Sequence, residues 1–201
     1  MHIGILGGSF DPVHLGHLIM AQDALERFDL DRALFVPAAQ PPHKAGGPRA
    51  AAEHRMAMLA AAIEGQPDME ISPLEIERGG VSYSVDTVAD LQQRRPRDVF
   101  SFIIGADTLR ELHTWTRVEE LLDRCRFLTL CRPGYPVREL TPERLRLPPA
   151  RAAQLLRDCV SGHEIQISSS DIRMRLAEGL PIRYLVHPAV EMYIAEHRLY
   201  Q

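Results

Sequence analysis

A short apolar run, HIGIL at 2–6, gives way to Gly7-Gly8 and then to a stretch, 15–28, in which Leu15, Leu18, Ile19, Leu25 and Phe28 recur at helical spacing. ALFVP at 33–37 is the next apolar run. Strand, glycine turn, helix and strand in that order form a crossover unit, which joins parallel strands and is almost always right-handed. The alternation continues with a helix at about 50–64, a strand at 69–74, a helix at 84–94, the strand VFSFIIG at 99–105, a helix at 117–124 and the strand RFLTLC at 126–131. These strands are apolar throughout instead of alternating, so both faces of the sheet must be covered. The pattern predicts an α/β fold with a doubly wound, Rossmann-like parallel sheet and helices on both faces, in which ligands sit beyond the carboxyl ends of the strands.

Prolines then interrupt the pattern. Pro133, Pro136, Pro142, Pro148 and Pro149 make 132–150 an irregular connection, with a short helix begun by Thr141-Pro142. A helix at about 150–158, a last strand HEIQI at 163–167 and helices near 170–178 and 188–197 complete the reading. No repeat or clean linker divides the chain, so 1–201 is expected to be a single domain, more helical over 168–201.

A chain of 201 residues with 45% hydrophobic and 25% charged positions is ordinary for a globular protein. Its formal net charge of −4 argues against broad electrostatic capture by nucleic acid or membrane. Lys44 is the single lysine, the other 22 basic residues are arginines, and asparagine is absent. Cys125, Cys131 and Cys159 form no CxxC pair and leave an odd number, which suits reduced thiols better than disulfides or zinc. Met1 leads directly into the first strand, without a signal-like apolar region, so the cytoplasm is the expected location.

GGSFDPVHLGH at 7–17 lies where the first strand becomes the first helix. Backbone N–H groups and the positive end of a helix dipole converge at such a junction, which makes it an anion site. Neither GxxxxGK[ST] nor GxGxxG is present, so the two familiar phosphate loops are excluded. Gly7 and Gly8 permit a tight turn and close approach to a phosphate, or serve only the turn. His14 and His17 are three residues apart and share a face, where imidazoles can donate to phosphate oxygens. Half a metal site and plain surface histidines are the alternatives, although no nearby carboxylate or cysteine pattern completes a zinc shell. Gly16 is costly inside a helix and points to a ligand or neighbouring backbone close by. ISSSDIR at 167–173 is a second helix start, where Ser168 and Asp171 make a capping-box-like pair while Ser169, Ser170 and Arg173 add hydroxyls and a guanidinium. Two oxyanion sites suggest a polyphosphate spanning both.

GGSFDPVHLGH together with ISSSDIR resembles the nucleotidylyltransferase superfamily, whose (H/T)xGH and ISSTxIR motifs handle the triphosphate of ATP. PPHK (41–44), EHR (53–55), SYSVDT (82–87), FIIGAD (102–107), Trp115 and YLVHPAV (184–190) make the whole chain similar to the bacterial nicotinate-nucleotide adenylyltransferases. Three positions depart from that family's usual pattern: Ser84 and Ser170 stand where threonine is common, and His187 precedes Pro188.

The resemblance implies adenylyl transfer from ATP to nicotinate mononucleotide, yielding nicotinate adenine dinucleotide and pyrophosphate in NAD biosynthesis. Its alternatives are nicotinamide mononucleotide or phosphopantetheine as acceptor, or a nucleotide-binding module without catalysis. By motif match, His14, His17 and Arg173 are catalytic. Gly7, Gly8, Ser9, Phe10, Lys44, Gly105, Asp107, Ser168 and Ser169 bind ATP. Ser84, Asp86, Thr87 and Trp115 bind nicotinate mononucleotide, the indole stacking on the pyridine ring while backbone N–H groups around Ser84 and Trp115 receive its carboxylate. Thr116 and Glu119 have capping-box spacing beside that tryptophan. The expected cofactor is Mg²⁺ carried on the ATP phosphates, with no resident metal site. Partners are the two small-molecule substrates, with no nucleic acid or membrane and with homo-oligomerisation left open.

Overall fold

The structure, a computed structural model, describes residues 1–42, 47–131 and 141–201. Lys44 and the first part of the proline-rich connection, 132–140, lie outside the described residues.

The strands are β1 (His2–Gly8), β2 (Arg32–Pro37), β3 (Met69–Ile71), β4 (Val99–Gly105), β5 (Arg126–Cys131) and β6 (Cys159–Ser161). Between and after them run α1 (Leu15–Arg27), α2 (Ala52–Ile63), α3 (Leu74–Arg78), α4 (Ser84–Arg94), α5 (Ala106–Glu111), α6 (Val118–Arg124), α7 (Pro142–Leu145), α8 (Pro149–Arg157), α9 (Ser169–Ala177) and α10 (Pro188–Glu196). The six strands form one sheet in the order β3-β2-β1-β4-β5-β6. This is the doubly wound order, in which the winding reverses between β1 and β4. β4 pairs in parallel with β1, placing Ile5 opposite Phe102, and also with β5, which in turn pairs in parallel with β6. No helix among the described residues is long and apolar enough to cross a membrane.

The chain divides into two compact units. The first comprises Met1–Leu6, Met20–Leu34 and Tyr83–Glu164; the second comprises Gly7–Ile19, Phe35–Ser82 and Ile165–Gln201. In the first, Ile3, Ile5, Phe102, Phe127 and Leu128 are buried along the strands, and α4 packs on α6 with Val88 and Leu121 buried. In the second, α2 packs on α10, burying Met58, Leu59, Val190 and Ile194.

Two expectations about the elements change. HEIQI at 163–167 alternates like a strand, but the last strand is Cys159–Ser161. Asp23, buried on α1, accepts from the His163 backbone N–H at 2.7 Å and meets His163 Nδ1 at 2.6 Å, drawing the chain off the ladder. A Cβ at Gly162 would stand 2.9 Å from the same carboxylate, so the departure needs glycine there. The fully buried residues of α1 are Ala21, Asp23 and Ala24, while Leu15, Leu18, Ile19, Leu25 and Phe28 are half-buried. Small side chains occupy the tightest face of that helix.

Candidate functional site

In the second unit the segment between β1 and α1 is fixed through its carbonyls. Arg55 Nη1 donates to Ser9 O and to Ala38 O, both at 2.8 Å. Arg173 Nη1 donates to Asp11 O at 2.7 Å, and Ser169 Oγ donates to Pro12 O at 2.9 Å. The glycine loop and the start of α9, 162 positions apart at the Asp11–Arg173 bond, are therefore joined directly. The two helix-start motifs form one constellation.

Within the loop the left-handed residue is Phe10, at φ 46°, and neither Gly7 nor Gly8 has positive φ. Phe10 is held in that conformation by burial, its ring packing on Phe35 and against the edge of His17. Gly8 is needed for space, since a Cβ would lie 3.2 Å from the Phe10 ring. Gly16 has a similar reason: a Cβ would stand 3.0 Å from the His14 imidazole and 3.4 Å from Ile165. The group approaching Gly16 is thus the His14 ring, not a backbone segment.

His14 is buried and His17 half-buried, their rings stacked with centroids 3.7 Å apart. His17 Nδ1 accepts the His14 backbone N–H at 3.2 Å, so a neutral His17 carries its ring proton on Nε2. That tautomer makes Nε2 a hydrogen-bond donor. On α9, Ser168 caps the helix by accepting the Asp171 N–H at 3.1 Å, as the capping-box spacing implies. Ser170 Oγ accepts from Arg173 Nη2 at 3.1 Å, so serine suffices at this departure from the family pattern. His187, another departure, caps α10 by accepting the Ala189 N–H at 3.3 Å.

Two buried charges in this unit escaped the residue-by-residue reading. Asp11, 2% exposed, accepts Arg49 N–H at 2.6 Å, Ala50 N–H at 3.0 Å and the Tyr200 hydroxyl at 2.7 Å. Arg55 is also 2% exposed; burial lowers its affinity for its proton, and the Asp11 carboxylate opposes that loss. Arg55 shares the apolar stripe of α2 with Met58, Leu59 and Ala62, and a charge on such a stripe is a signal the sequence carries.

The first unit holds the other predicted residues. Gly105 ends β4, and a Cβ there would meet the Asp107 carboxylate, the movable end of an exposed side chain. Asp107 is exposed in the first turn of α5. Trp115 is half-buried, its ring edge-on to Phe102 at 5.7 Å and to Phe127 at 6.1 Å. Its backbone N–H closes a turn onto Leu112 O at 3.0 Å, so this particular N–H is already committed. The capping box expected at Thr116 and Glu119 does not form: α6 begins at Val118 after Arg117, which takes the left-handed conformation at φ 52° without a side-chain cap. Arg117 instead reaches Asp86 on α4 and Glu120 on α6. Ser84 opens α4, where Tyr83 O takes the Asp86 and Thr87 N–H groups at 3.1 and 3.2 Å while the Ser84 and Val85 N–H groups precede the first intrahelical acceptor. Thr87 is fully buried, and its hydroxyl donates to Tyr83 O at 3.2 Å. Among the described residues no cluster of three or more histidine, cysteine or acidic side chains could hold a metal ion.

Residues 5–175 match the family described as Cytidylyltransferase-like. A protein of Opitutus terrae named "Probable nicotinate-nucleotide adenylyltransferase" is 44% identical over 201 residues, covering 100% of this chain and 98% of its own. One of the same name from Thermus thermophilus is 44% identical, with both chains covered in full (100%). Among solved structures, Plasmodium falciparum nicotinic acid mononucleotide adenylyltransferase complexed with APC shares the fold at a TM-score of 0.75 and 19% identity, covering 99% of this chain and 96% of that one. The same enzyme complexed with NaAD gives 0.74 at 20% identity, covering 99% and 97%. The doubly wound sheet, the joined motifs and full-length similarity agree: the chain belongs to the cytidylyltransferase-like family and, within it, to the bacterial nicotinate-nucleotide adenylyltransferases.

Proposed function

We propose that the chain transfers the adenylyl group of ATP to the phosphate of nicotinate mononucleotide, forming nicotinate adenine dinucleotide and pyrophosphate. A phosphate oxygen of the mononucleotide attacks the α-phosphorus; the bond from that phosphorus to the bridging oxygen breaks, and pyrophosphate leaves with the electron pair. The attacking group is already an anion, so no protein base is needed and catalysis reduces to alignment and charge stabilisation.

The observation that carries the reading is the direct bond from Arg173 to the loop bearing His14 and His17. One preorganised group then faces a triphosphate with imidazole, guanidinium, hydroxyl and backbone donors. His14 and His17 hold the phosphates and stabilise charge as pyrophosphate departs. Gly7, Gly8, Ser9 and Phe10 line the approach, and Ser168, Ser169 and Arg173 hold the outer phosphates. Lys44, by its PPHK context, adds a cation. Mg²⁺ carried on the phosphates would neutralise charge there and would need few protein ligands; the exposed Asp107 carboxylate has the oxygen chemistry to accept a hydrogen bond from one of its waters or from a ribose hydroxyl. Trp115 offers its ring to the pyridine, with Ser84, Asp86 and Thr87 shaping that pocket. A cytoplasmic setting accords with the ATP requirement and with Cys125, Cys131 and Cys159 all being free thiols.

The test is product identification with ATP labelled at its α-phosphate, Mg²⁺ and nicotinate mononucleotide. The label is expected in a dinucleotide, with equimolar pyrophosphate released only when the mononucleotide is present. Absence of labelled dinucleotide contradicts the proposal.

A further inference from the structure

The end of the chain makes a contact with the glycine loop that the reaction above does not use. Past α10, Leu199 N–H bonds back to Ile194 O at 3.1 Å, and Arg198 and Tyr200 both adopt left-handed conformations, φ 50° and 66°. Non-glycine residues take that conformation sparingly, so something must hold the turn. The turn carries the Tyr200 hydroxyl to Asp11 Oδ1, to which it donates at 2.7 Å. Burial first, and then Asp11, push the Tyr200 hydroxyl above the ordinary phenol range, so it stays a donor through neutral pH.

Asp11 is where this contact gains consequence. A buried carboxylate depends on its donors, and each lost donor leaves charge poorly compensated. Two of the donors are backbone N–H groups of Arg49 and Ala50, and the third is Tyr200. The same residue's carbonyl receives Arg173 Nη1 at 2.7 Å. The bonds to the carboxylate hold the Asp11 backbone in place, and a shift of that backbone moves an anchor of Arg173 and the loop that continues into His14.

We propose that Tyr200 is a positioning residue for triphosphate binding, acting through Asp11 to fix the 7–14 loop against Arg173. The inference rests on the proposed ATP role of that loop, and names a residue of the extreme C-terminal turn as part of its support. A tether that served folding alone would change stability and leave nucleotide affinity untouched.

Calorimetric titration of Mg·ATP into the full-length parent, Tyr200→Phe and Tyr193→Phe separates these roles, alongside thermal midpoints. Tyr193 belongs to the same C-terminal segment, but its hydroxyl meets His54 Nδ1 at 3.0 Å and not the loop. Tyr200→Phe is expected to weaken Mg·ATP binding about tenfold, the scale of one hydrogen bond to a charged group. Tyr193→Phe is expected to stay within about twofold, and KM for nicotinate mononucleotide to move by no more than that in either variant. Combining Tyr200→Phe with Asp11→Asn should add little to the loss seen with Asp11→Asn alone, because both remove one linkage. Unchanged ATP affinity in Tyr200→Phe, equal loss in Tyr193→Phe, or fully additive losses in the double variant would overturn the inference while the parent's turnover leaves the functional reading standing. A parent that binds no Mg·ATP overturns both.

Discussion

His17 stacks on His14 with ring centroids 3.7 Å apart and planes inclined by 24°, while its Nδ1 accepts the His14 backbone N–H. The second histidine is thereby held in rotamer and tautomer by the first, which leaves Nε2 as the donating atom. Preorganised donors of this kind act where charge develops and need no rearrangement during the reaction.

Replacing His17 by alanine removes that donor without opening the main core, since His17 is only half-buried. The expected result is a fall in kcat of ~10²–10³, with the thermal midpoint nearly unchanged. Steady-state pyrophosphate release together with a melting curve checks it, and near-normal turnover in the folded variant would remove His17 from the mechanism.

Arg173 uses both terminal nitrogens, Nη1 to Asp11 O and Nη2 to Ser170 Oγ. Lysine keeps the charge but loses the planar fork, so Arg173→Lys should raise KM for ATP by about tenfold while KM for the mononucleotide holds. Equal KM values for ATP in parent and variant would show that the fork is dispensable.

Asp23 is a stability prediction. It is buried and holds both the backbone N–H and the ring of His163. Asp23→Ala should cost about 1.5–3 kcal/mol, the range for hydrogen bonds to a charged group. At about 2–4 °C per kcal/mol for a chain of this size, calorimetry should show Tm lowered by roughly 3–12 °C.

Burial pushes the Cys125 thiol up to about 12 from its ordinary value of 9.0. The folded chain keeps the neutral thiol while an unfolded chain ionises above 9.0, so the stabilisation is fully present below that pH and is lost as pH rises toward about 12. Denaturation curves across that window should show stability falling, and Cys125→Ala should flatten the slope. Alkylation at pH near 8 should spare Cys125 in the folded chain.

Most of the sheet was legible because β1, β2, β4 and β5 are apolar runs, and two of them, β1 and β4, are also closed by glycine at 7–8 and 105. β6 was not, because HEIQI has a strand's alternation and the residue that diverts it, Asp23, is 140 positions away. Short helices such as α3 and α5 lack the length for periodicity to register. Of the constellation proposed to hold the phosphates, the histidines and the SSSDIR hydroxyls could be read from helix starts. Asp11 could not: its carboxylate is committed to Arg49, Ala50 and Tyr200, partners that no local pattern connects. Arg117 was missed for the opposite reason, since its Thr116–Glu119 neighbourhood carried a capping signal that tertiary pairing with Asp86 overrides.

The proposed reaction is adenylyl transfer to the acid form of the pyridine mononucleotide. Its most direct test compares kcat/KM for nicotinate and nicotinamide mononucleotides in parallel, under the same Mg·ATP, by pyrophosphate release. A carboxylate can accept from donors at the start of α4, whereas a carboxamide sets its NH₂ against one of them; buried mismatches of about 1–3 kcal/mol each give a predicted preference for the acid of roughly 10²–10⁴. Equal values, or a preference for the amide, would rule out the proposed selectivity for the acid.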